Sequence, residues 1–146
     1  MSLLAIFDFD FTLSYVDDNF HSNPELHVRE YHLYPDVDVI LYVLKSLNIR
    51  LAVASNNINC PELLKELGIN KYFDLVLAYN DSTEKVSHVK TIMEHFPEIK
   101  PEDITFFDDS KGNIEACKTL GIKCCLIDVN FGITWKNTVR TITNFK

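Results

Sequence analysis

An α/β fold, three layers deep around a parallel sheet, is what this sequence predicts. Three observations lead there. Apolar runs of strand length alternate with helix-period segments along the chain. The first strand-like run is apolar from Leu3 to Phe7, as buried parallel strands are. Polar residues gather where strands end rather than within them. With 146 residues, 47% of them hydrophobic, one domain with a sizeable core is expected over 1–146.

The elements follow in order. Residues 3–9 read as a strand. Residues 36–47, DVDVILYVLKSL, carry a helical stripe at Val37, Ile40, Leu41, Leu44 and Leu47. IRLAVAS at 49–55 is a second strand. Residues 60–67 form a short helix, with Asn59 or Cys60 near its cap, Pro61 in its first turn and Gly68 closing it. FDLVLAY at 73–79 is a third strand, followed by a helix over 83–96 that Pro97 stops. DITFFD at 103–108 is a fourth strand, 111–120 a helix ending at Gly121, and IKCCLID at 122–128 a fifth strand. A last helix is expected at about 134–144. The interval 14–34 breaks the rhythm: it is polar, aromatic and histidine-rich, long for a connecting loop and short for a domain. It reads as a flap or hairpin near the end of strand one.

The totals narrow the function classes. The net charge of −7 argues against a free-standing nucleic-acid binder, which is normally basic. No apolar run approaches the roughly 18 residues of a membrane helix. The N-terminus lacks a basic stretch and a small-residue cleavage site, so a cytoplasmic protein is expected. Cys60, Cys117, Cys124 and Cys125 match no zinc spacing and read as reduced, mostly buried thiols. His21, His27 and His32 are spaced six and five apart, off any one helix face, and read as solvated loop histidines. Tyr15, Phe20, Tyr31 and Tyr34 either cover the crevice or anchor the flap.

Asp8 and Asp10 interrupt IFDFDFTL two residues apart, so a strand places them on one face. At about 4 Å and an effective dielectric near 20, their repulsion is on the order of 4 kcal/mol. A cation, a shared proton or a function must compensate. Ser55, Asn56 and Asn57 follow strand two, Lys85 opens the helix after strand three, and Asp108 and Asp109 follow strand four. The carboxyl ends of parallel strands form the ligand crevice of an open sheet. Four carboxylates, a hydroxyl and a lysine thus converge on one edge. Oxygen-rich sites of this kind prefer Mg²⁺.

DFDFT, with aspartates at 8 and 10 and threonine at 12, resembles the D-x-D-x-T signature of haloacid dehalogenase-type phosphatases. The strand ending in Ser55, the downstream Lys85 and FFDD at 106–109 resemble that superfamily's other motifs, in the same order. LYPDV at 33–37, EKVSHV at 84–89 and FFDDSKGNI at 106–114 resemble its small magnesium-dependent phosphatase-1 type, which lacks a large cap domain. The resemblance implies a Rossmann-like, capless fold with a small flap after strand one.

The resemblance also implies roles. Asp8 is the nucleophile that forms a phosphoaspartate. Asp10 is general acid and then general base, and its main-chain carbonyl binds the metal. Thr12 holds the loop and orients Asp10. Ser55 and the Asn56 amide bind phosphate oxygens, and Lys85, with Lys90 as the alternative, neutralises the transferring group. Asp8, Asp10, Asp108 and Asp109 are the Mg²⁺ set, although Asp109 could instead cap the next helix. Asn113 buttresses that loop, and His88 is structural. The expected reaction is hydrolysis of a phosphate monoester, on a phosphotyrosine protein or a sugar phosphate. The alternatives are a nucleic-acid 3′-phosphatase and a receiver-like phospho-acceptor module that uses Asp81.

Overall fold

The computed structural model describes residues 2–18, 29–79 and 84–143. Five strands form one parallel sheet: β1 (Leu4–Phe7), β4 (Arg50–Ser55), β5 (Leu75–Ala78), β6 (Ile104–Asp108) and β7 (Lys123–Leu126). Their order is β5-β4-β1-β6-β7. β1 is central, with Phe7 in register with Val53 on one side and Phe107 on the other. The chain leaves β1 toward β4 and β5, then returns across it to β6 and β7. The crevice at such a reversal, outside the carboxyl ends, is where open sheets bind ligands.

Alternation along the strands makes two cores. Ala5, Phe7, Leu51, Val53 and Phe107 face α1 (Val37–Ser46) and α2 (Cys60–Glu66). Leu4, Ile6, Ala52, Ala54 and Phe106 face α3 (Lys85–His95) and α4 (Lys111–Lys118). Every residue of β1 is fully buried. Burial at about 25 cal/mol per Å² makes these two interfaces the main source of stability. The three-layer α/β sheet expected from the sequence is the observed one, and among the described residues no interval between its strands holds a large cap.

β2 (Ser14–Asp18) and β3 (Arg29–Leu33) pair antiparallel. They lie inside the interval 14–34; its residues 19–28, with His21, His27 and Phe20, lie outside the described residues. The expected final helix is split. A π-helical turn at Trp135–Val139 opens it, with a reciprocal cap between Thr134 and Asn137, and α5 (Arg140–Thr143) follows. Gly132 (φ +65) shows why the preceding loop turns as it does. A Cβ there would lie 2.1 Å from the Tyr34 ring. Tyr34 donates to Val129 O at 2.6 Å, so this ring ties the loop to the foot of the hairpin. Tyr34 is therefore an anchor.

Candidate active site

The end of β1 turns at once. Phe9 O accepts from Leu13 N and Ser14 N at 3.0 and 3.1 Å, and Phe11 sits at φ +62. A bulky residue in the left-handed region is a strained choice, held here by the bonds around it. This turn folds Thr12 back, and its hydroxyl donates to Asp8 Oδ2 at 3.4 Å. Thr12 thus contacts Asp8. Asp8 N donates to Phe107 O at 2.9 Å, which sets the two strand ends side by side.

Lys85 opens α3 and points inward, 3% exposed. Its Nζ donates to Asp8 Oδ1 at 2.7 Å and to Ala54 O at 2.9 Å, and lies 3.6 Å from Asp108 Oδ2. Lys90 is exposed on the same helix, so geometry separates the two lysines. Asp108 Oδ1 accepts from Ser110 N at 2.8 Å, and its Oδ2 from Asn113 Nδ2 at 3.1 Å. The cap of α4 is Ser110, which accepts from Asn113 N at 3.3 Å. That corrects the capping alternative for Asp109: the residue with the right offset to reach the third helical N–H is one further on.

Oxygens of Asp8, Asp108 and Asp109 lie within 4.8 Å of one another. One lysine serves two buried carboxylates here. Burial raises Asp8 well above the usual carboxylate range; Lys85 opposes the rise and Asp108 adds to it. Burial raises Asp108 too, against Lys85 and its two hydrogen bonds. For Lys85, burial favours the neutral amine, but the two carboxylates outweigh it and hold the ammonium. The site carries more negative charge than it neutralises, which is how a cation site is built.

Asp10 opens the turn after β1. Its Oδ2 accepts from Asn57 Nδ2 at 3.4 Å. Ser55 is fully buried at the end of β4, and its Oγ accepts from Asn57 N at 3.0 Å. Asn56 is exposed. Asn57, to which the family resemblance assigns no role, bonds Asp10, Ser55 and Asn59. His88 is buried one turn from Lys85 against the Tyr79 ring, centroids 4.9 Å apart. Burial pushes the Cys60 thiol up to about 12, so it stays protonated at neutral pH. His32 lies beside Asp17 and Glu30 on the hairpin.

The family model for acid phosphatases matches residues 1–146. The chain belongs to the acid phosphatase family. Human magnesium-dependent phosphatase 1 is 31% identical over 135 residues, covering 83% of this chain and 75% of that protein. Phosphoglycolate phosphatase from Neisseria meningitidis is 36% identical over 104 residues, covering 68% of this chain and 43% of that protein. The chain therefore spans less than half of that relative's length. Among solved structures, an archaeal β-phosphoglucomutase from Pyrococcus superposes with a TM-score of 0.70 at 15% identity, covering 99% of this chain and 98% of that one. A haloacid dehalogenase-like hydrolase from Streptococcus pneumoniae gives 0.67 at 16%, covering 99% and 90%. The fold of this chain is thus haloacid dehalogenase-like. No helix among the described residues is long and apolar enough to cross a membrane.

Proposed function

We propose that the chain is a Mg²⁺-dependent phosphomonoesterase working through a phosphoaspartate on Asp8. One observation carries the reading: Asp8, Asp108 and Asp109 converge at the sheet's reversal point with Lys85 against two of them. The donor set fits Mg²⁺, since all three are hard carboxylate oxygens in a buried, over-acidic site. Asp8, Asp108, Asp109 and the Asp10 main-chain carbonyl would hold it. Bound there, it would neutralise charge on the phosphate.

In the first half-reaction, an Asp8 carboxylate oxygen bonds to phosphorus as the ester P–O bond breaks. Asp10 gives its proton to the departing alcohol. Lys85 neutralises charge that builds on the transferred group. Ser55 and the Asn56 amide hold its oxygens. In the second half, Asp10 takes a proton from water, which attacks phosphorus and releases phosphate and the Asp8 carboxylate.

The substrate reading is a phosphorylated protein side chain, phosphotyrosine, or a sugar phosphate. Support comes from the described residues, among which no large cap stands over the crevice. It comes also from relatives named for small phosphates, such as a phosphorylated carbohydrates phosphatase of Thermotoga maritima, 31% identical over 94 residues. A panel of phosphotyrosine peptide, sugar phosphates, phosphoglycolate and 3′-phosphorylated oligonucleotide, with Mg²⁺ or EDTA and Asp8→Asn as blank, tests it. Continuous phosphate release that needs Mg²⁺ and Asp8 is expected. A single labelling event that decays slowly would favour the receiver reading, whose Asp81 lies outside the described residues. Release from the oligonucleotide alone would favour the 3′-phosphatase.

A further inference from the structure

We infer that Asn57 is a positioning residue that aims the Asp10 carboxylate, and that Tyr31 of the hairpin sets Asn57. The inference rests on the phosphatase reading above. Both polar atoms of the Asn57 side chain are engaged. Its Oδ1 accepts from Asn59 N at 3.0 Å, which fixes which way the amide faces. Its Nδ2 then has two hydrogens, and two acceptors lie in reach. One is Asp10 Oδ2 at 3.4 Å, the other the Tyr31 hydroxyl at 3.3 Å. Its backbone N–H donates to Ser55 Oγ at 3.0 Å. Tyr31 is placed independently, its ring stacked on Phe9 with centroids 5.9 Å apart. Phe9 sits between the two aspartates and is fully buried.

One amide therefore joins three elements: the turn after β1, the end of β4, and β3 of the hairpin. A carboxylate on a turn samples several rotamers unless a donor holds it. Asn57 supplies one such donor, and the hairpin supplies the stop behind it. The consequence is chemical. The proton that Asp10 delivers matters most when the departing alcohol is a poor leaving group, and least when it leaves easily as an anion. Losing the aim of Asp10 should therefore raise the sensitivity of kcat/KM, which reports the first half-reaction, to leaving-group pKa.

The test is a series of aryl and alkyl phosphates on wild type, Asn57→Ala, Tyr31→Phe and the double variant, all with Mg²⁺. For Asn57→Ala, kcat/KM on alkyl esters should fall about 30-fold, while p-nitrophenyl phosphate falls threefold at most. Tyr31→Phe keeps the ring on Phe9 and should show the same tilt, smaller. The double variant should be no worse than Asn57→Ala, since both act along one path. A uniform fall across all esters, or an additive double variant, overturns the inference and leaves the phosphatase reading standing. Wild-type turnover that survives Asp8→Asn sinks that reading itself. A second measurement needs no turnover: the Asn57 side-chain amide cross-peaks in a ¹H–¹⁵N spectrum should move in both Tyr31→Phe and Asp10→Ala. Peaks that ignore either change overturn the link.

Discussion

Two aspartates in this molecule sit against a lysine at nearly one distance, and they behave oppositely. Asp74 meets Lys45 at 2.8 Å at the amino edge of the sheet. Asp8 meets Lys85 at 2.7 Å at the carboxyl edge. Asp74 is partly solvated; burial alone would raise it, but Lys45, the Leu51 N–H and Arg50 together hold its pKa down. Asp8 is raised, because burial outweighs a lysine that Asp108 also claims. The first pair closes a structural corner, where Asp74 also accepts from Leu51 N at 3.0 Å. The second is left over-charged. Proximity to a lysine does not distinguish the two sites; the charge remaining after pairing does.

The sharpest way to break that contrast is to neutralise each acid in turn. Asp8→Asn should cut phosphatase turnover by about a thousandfold or more, whereas Asp74→Asn should leave it within about twofold. Steady-state rates on the best ester of the panel, with thermal melts to show both variants folded, would decide. Equal losses would erase the distinction.

Removing the lysines asks the same question of stability. Lys85→Met strands two buried carboxylates and should cost about 3 kcal/mol in EDTA. Lys45→Met opens a solvated pair and should cost about 1 kcal/mol or less. Urea unfolding of both variants reads the difference, and a smaller cost at Lys85 would mean that water reaches the site.

Acid should split the pairs most finely. Asp74 is lowered, so its contribution is present above its unfolded value of 3.8 and is lost as pH falls through the folded pKa. The gap between wild type and Asp74→Asn should close at low pH. Asp8 is raised, so its contribution is full below 3.8 and is lost as pH rises through the folded pKa. In EDTA, Asp8→Asn should be the more stable protein at neutral pH, and acid should close that gap from the other side. Melting temperatures across pH check both signs, and Mg²⁺ should remove the advantage of Asp8→Asn.

What the sequence made legible follows the same division. The strand ends were readable because periodicity marks them, so Asp8, Ser55 and Asp108 could be placed on one edge. Lys85 was readable from its motif, though only the fold turns it inward and Lys90 outward. The turn residues were not readable. SNN at 55–57 offers two amides, and backbone geometry after Ser55, not composition, decides that Asn57 faces Asp10. DDS at 108–110 offers two caps; the helix starts at Lys111 as expected, but Ser110 rather than Asp109 caps it. Tyr31 reaches Asn57 across the hairpin, a contact between residues 26 apart that no local pattern encodes.

The central claim is that Asp8 becomes covalently phosphorylated during turnover. Acid-quenching the Mg²⁺-loaded protein in mid-reaction, digesting it and weighing the peptide that contains residue 8 tests this directly. A mass increase of about 80 Da, one phosphoryl group, should fall on Asp8 and vanish in Asp8→Asn along with phosphate release. Turnover that continues in Asp8→Asn, or a mark carried by another residue, would contradict it.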